Sequence, residues 1–60
     1  MEQKVNIQGL DEKIKLIKKS AEELKMMADA FPALYRNSDR ILASIKMLEI
    51  NISDLLDAGV

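Results

Sequence analysis

The hydroxyls that could serve as nucleophiles in this chain are Ser20, Ser38, Ser44 and Ser53. A serine nucleophile needs a base beside it, and the 60 residues contain no His and no Cys. Serine–lysine pairing is the one nucleophilic arrangement left. Where Ser and Lys recur along helical segments, such serines read as solvent-facing or interface groups. No catalytic residue is assigned, and the chain is expected to be non-enzymatic.

The carboxylates lead to the same place. Di-metal sites in helical bundles combine inward Glu residues with Glu-x-x-His pairs, and here Glu22 and Glu23 fall off the apolar positions while Glu49 sits at their margin. A lone carboxylate at that margin suits an interhelical ion pair, so no metal is expected. With Gly9 and Gly59 the only glycines, there is no loop to cradle a phosphate, and no cofactor is expected. The remaining candidates are cationic: Lys13, Lys15, Lys18, Lys19 and Lys25, with Arg36 and Arg40 further on. Asp39 adjoins the arginines, no aromatic is interleaved for base stacking, and nine basic against ten acidic residues leave a net charge of −1. These cations read as a solvated face, and neither a nucleic-acid nor a membrane partner is expected.

The elements that would carry these residues are helical. From Ile7 the apolar positions run Ile7, Leu10, Ile14, Ile17, Ala21, Leu24, Ala28 and Phe31, alternating steps of three and four as in an a/d seam. Asp11 is placed to cap the first helix and Asp29 a second. Pro32, the only proline, cannot sit inside a helix without loss of a hydrogen bond but is accepted in a first turn. A second series, Leu34, Ile41, Ile45, Leu48, Ile52 and Leu55, has Ser38 in its polar slot and is widened by Leu42 and Leu56. Gly59 is placed to end that helix. The two series are out of phase across Pro32, which predicts an all-α antiparallel hairpin with helices over about 11–29 and 32–57, preceded by an arm or short strand over 1–10. A single kinked helix is the other arrangement compatible with the pattern, since the hinge lacks glycine.

Sixty residues bury too little surface for comfortable stability. The usual aids are disulfides, a structural metal or oligomerisation, and without Cys or His the third remains. The hydrophobic content of 48% comes mainly from Ile, Leu, Ala and Met, with one Phe, one Tyr and no Trp. Two such helices cannot cover so wide a stripe alone. The expected solution is a homodimer or tetramer forming a four-helix bundle or coiled coil, its core built from Ile14, Ile17, Ala21, Leu24, Ala28, Phe31, Leu34, Ile41, Ile45, Leu48, Ile52 and Leu55. Leu16, Met26, Met47 and Ile50 lie off the seam and are candidate contacts either for further self-assembly or for another protein. Met1-Glu2-Gln3-Lys4 leads into no apolar run of the secretory kind, so a cytoplasmic location is expected.

Residues 4–8, Lys-Val-Asn-Ile-Gln, alternate polar and apolar as a short strand does. The order strand, helix, break, helix resembles the ribbon-helix-helix repressors. That resemblance implies a dimeric DNA-binding regulator whose paired strands enter the major groove, with Lys4, Asn6 and Gln8 turned outward to read bases and Val5 and Ile7 inward. The chain departs from the family in its longer first helix, the missing glycine-containing turn and a pI of about 5.2. The leading expectation is therefore a protein-interaction or assembly module such as an adaptor, small chaperone or accessory subunit, with the regulator as its alternative.

Overall fold

The computed structural model describes residues 6–58 and contains two α-helices, α1 (Ile7–Met27) and α2 (Pro32–Asp57), folded back on each other as an antiparallel hairpin. Neither helix is long and apolar enough to cross a membrane.

α1 starts four residues earlier than Asp11, and the reason is Asn6. Its Oδ1 accepts a hydrogen bond from the Gly9 amide at 2.9 Å, and its carbonyl accepts from the Leu10 amide at 3.0 Å, so it supplies the N-cap that the first turn needs. Asp11 is left in the second turn, where its carboxylate pairs with Lys15 at 2.9 Å. Of the arm or strand expected over 1–10, residues 7–10 are instead helical, and Ile7 packs against the core. Residues 1–5 lie outside the described residues, as does Gly59. A Cβ on Gly9 would come within 2.8 Å of the capping Asn6 side chain. We expect Asn6→Ala to lower stability by about 1 kcal/mol, read as a lower melting temperature by circular dichroism. Gly9→Ala should gain less than its helix propensity alone would give, because the added methyl displaces the cap.

α1 ends at Met27 where the sequence suggested residue 29, and a tight turn follows: the Phe31 amide donates to the Ala28 carbonyl at 2.8 Å. The hinge manages without glycine because proline restricts the residue before it to extended backbone. Phe31 has φ −126° and ψ 88°, and Pro32 takes the first position of α2. Phe31, not Asp29, is the N-cap, and its side chain makes no capping bond.

The helices meet along two lines of residues spaced by seven. Ile14 and Ala21 on α1 with its C-cap Ala28, and Ser38, Ile45 and Ile52 on α2, are the buried residues among those described, with Ile7, Leu42 and Leu55 packed against the aliphatic cluster. Ala28 and Ser38, each 1% exposed, are small, and two small residues let backbones approach closely next to the turn. The Ser38 hydroxyl turns onto its own helix and donates to the Leu34 carbonyl at 2.8 Å, so its polarity is satisfied without a partner from α1. Two outcomes follow. Ser38→Ala should change stability by less than about 1 kcal/mol, since the Leu34 carbonyl keeps its backbone bond within α2 and no group is left unpaired. Ser38→Leu should cost about 1–3 kcal/mol by forcing the helices apart, which urea unfolding of the two variants would separate.

Candidate interaction face

The buried lines divide each helix into two flanks, because side chains step about 100° per residue around the axis. On α1, Leu10, Ile17 and Leu24 lie to one side of the Ile14–Ala21–Ala28 line and Lys18 and Lys25 to the other. On α2, Leu34, Ile41, Leu48 and Leu55 lie to one side of the Ser38–Ile45–Ile52 line, and Tyr35, Leu42 and Glu49 to the other. Both helices are right-handed and antiparallel, so flanks offset in the same sense emerge on the same side of the hairpin.

One long edge is closed by charge. Lys18 Nζ meets Glu49 Oε2 at 3.1 Å, and Lys25 Nζ meets Asp39 Oδ1 at 2.8 Å while standing 5.1 Å from the centre of the Tyr35 ring. The hydrogen bond to Asp39 raises the Lys25 pKa above its ordinary 10.5, with partial burial opposing it. A raised lysine pKa means that its stabilising contribution is fully present below 10.5 and is lost as pH climbs through the folded value. Glu49 therefore forms an ion pair across the helices. Beside Lys25 a wide, open depression is lined by Glu22, Met26, Asp29, Tyr35 and Leu42. Among the described residues no three His, Cys, Asp or Glu side chains group as metal ligands.

The other side is open and apolar. Leu10, Ile17, Leu24, Phe31, Leu34, Ile41 and Leu48 keep between 37% and 60% of their surface exposed, and together they run the length of the hairpin. The heptad positions bordering this face are Lys13, Ser20 and Met27 on α1 and Asn37, Ser44 and Asn51 on α2, so a single charge falls among six. Depletion of charge around an apolar centre marks buried interface composition.

Of the twelve residues expected to form the core, Ile14, Ala21, Ala28, Ile45 and Ile52 are buried within the hairpin, Leu55 is half-buried, and the other six form most of the open face. Ser38 and Leu42 complete the interior, signalled in the sequence only by their place in the second series. The off-seam set does not converge. Leu16 and Met26 occupy the outer surface of α1, Met47 and Ile50 that of α2, and all four are exposed on opposite sides of the hairpin. Of the outward strand residues, Asn6 caps α1 and Gln8 lies within α1, while Lys4 is outside the described residues.

Fold and face together define a class, the two-helix antiparallel hairpin with one charged, closed edge and one apolar, open face. No protein-family model, characterised protein or solved structure matches this chain.

Proposed function

We propose that the chain is a non-enzymatic assembly module that acts as a homo-oligomeric helical bundle, in the manner of an adaptor, small chaperone or accessory subunit. The open face carries the reading. A monomer seldom leaves a contiguous apolar patch larger than a few hundred Å² in water, and here seven large apolar side chains, 37–60% exposed, line one side of a hairpin 44 Å long. Burial of that face would supply the core that so short a chain lacks. For the ribbon alternative, Ile7 and Gln8 lie within α1 and Asn6 is its cap, so these three residues lend it no support.

Sedimentation equilibrium with circular dichroism over a concentration series tests the proposal. Helicity should fall on dilution together with dissociation, because folding and assembly are then linked by mass action. A monomer that stays fully helical at low micromolar concentration would overturn it.

A further inference from the structure

We infer that the occupant of the open face is a second copy placed about a two-fold axis parallel to the helices, so that α1 of each hairpin packs against α2 of its partner and both turns lie at the same end. This arrangement rests on the self-association reading and adds its geometry.

Two dimers can cover the face with antiparallel neighbours. In one, the axis runs along the helices and α1 meets the partner's α2. In the other, the axis crosses the helices, α1 meets the partner's α1, and the turns lie at opposite ends. Both bury the Leu and Ile residues of the face, so the choice falls to the residues at its outer margin. Seven-residue spacing places Leu16 and Glu23 together on the outer margin of α1, and Arg40 and Met47 together on that of α2. The interhelical pairs Lys18–Glu49 and Lys25–Asp39 give the heights of α1 against α2, and an axis parallel to the helices transfers those heights unchanged to the partner's α2.

At those heights Leu16 of one copy lies beside Met47 of the partner subunit, and Glu23 beside Arg40 of the partner subunit. Apolar meets apolar and acid meets base, twice per dimer. Small residues face each other at the middle of the contact, Ser20 of one copy against Ser44 of the partner subunit, and admit close approach. The crossed arrangement sets Leu16 near the partner's Glu23 and Met47 near the partner's Arg40, and brings Ser20 against its own symmetry mate. Charge complementarity selects between arrangements more than it adds affinity. The first arrangement also accounts for Leu16 and Met47, exposed apolar residues to which the isolated hairpin gives no partner.

Cysteine pairing decides the matter. Within one chain Ser20 and Ser44 both lie beyond the open-face flank and off the lines where their own helices meet, so their Cα atoms are no closer than the helix axes, about 8–10 Å, and cannot form an internal bridge, which needs Cα atoms within about 7 Å. Under air oxidation the double variant S20C/S44C should run as a covalent dimer on a denaturing gel, while S20C alone and S44C alone remain single chains. A covalent dimer from S20C alone would overturn the arrangement, as would failure of the double variant to cross-link in a preparation that sediments as a dimer. Sedimentation of the unaltered chain as a monomer would instead remove the assembly reading itself. Charge exchange offers a check free of cysteine: E23R should weaken dimerisation several-fold, and E23R/R40E should recover it. Without recovery the Glu23–Arg40 contact, and with it the parallel axis, is refuted.

Discussion

Ile45→Asp should leave the chain without stable helix at any concentration that circular dichroism can reach. Ile45 is 2% exposed and belongs to the aliphatic cluster with Ile14, Ala21 and Ile52. Truncation alone of a buried Ile costs about 2–5 kcal/mol. A carboxylate at the same place adds the penalty for an unpaired buried charge, and Lys18 and Lys25, the cations that bridge the two helices, are held at the hairpin edge by Glu49 and Asp39. Domains are stable by about 5–15 kcal/mol, and one with six buried side chains sits at the low end. Ile45→Val, at about 0.5–1.5 kcal/mol, should fold and assemble, which separates charge from loss of a methylene. An Ile45→Asp chain that kept its helicity would refute the register of α2.

Ile41→Lys tests the open face where Ile45→Asp tests the closed one. Ile41 is 44% exposed in the hairpin, and in a monomer a lysine there would change stability by no more than about 0.5 kcal/mol, as exposed substitutions do. In an assembly the same ammonium lies at the centre of the contact. Loss of a central interface side chain costs roughly 2 kcal/mol or more, it occurs once on each copy, and the dimer dissociation constant should rise on the order of a thousandfold. The concentration at which helicity appears should rise with it. Unchanged sedimentation would show that the face of Leu24, Ile41 and Leu48 is not where copies meet.

The single charge at the border of that face marks how far local pattern reaches. Steps of three and four from Ile7 to Phe31 and from Leu34 to Leu55 state the helices directly, since a period near 3.6 is a property of consecutive residues. The phase break at Pro32 states an interruption that a hairpin or a kinked helix would satisfy, and the structure takes the hairpin. The start of α1 was harder to read. Asp11 and Asn6 are both competent caps, and the choice depends on whether Gly9, Ile7 and Leu10 can enter the helix. Asn6 wins because Gly9 leaves room for its side chain and Ile7 gains contact with the core. The alternation over residues 4–8 resembles a strand only while that contact is out of view.

Composition and order along the chain determined that this protein is helical, that its helical pattern breaks at Pro32, that it has neither thiol nor imidazole for chemistry, and which residues are apolar. The tertiary structure alone decided which apolar residues the hairpin keeps for itself. Seven-residue spacing treats Ile14 and Ile17 as equals, and likewise Ile45 and Leu48, because position in a seam depends on the helix's own period. Which of the two lines points at the neighbouring helix depends on the rotation of each helix about its axis. That rotation is set by the close approach at Ala28 and Ser38 and by the Lys18–Glu49 and Lys25–Asp39 pairs on one edge, contacts between residues 10 to 31 positions apart in the sequence. With those edges closed by charge, Ile17, Leu24, Ile41 and Leu48 were left on the side facing out.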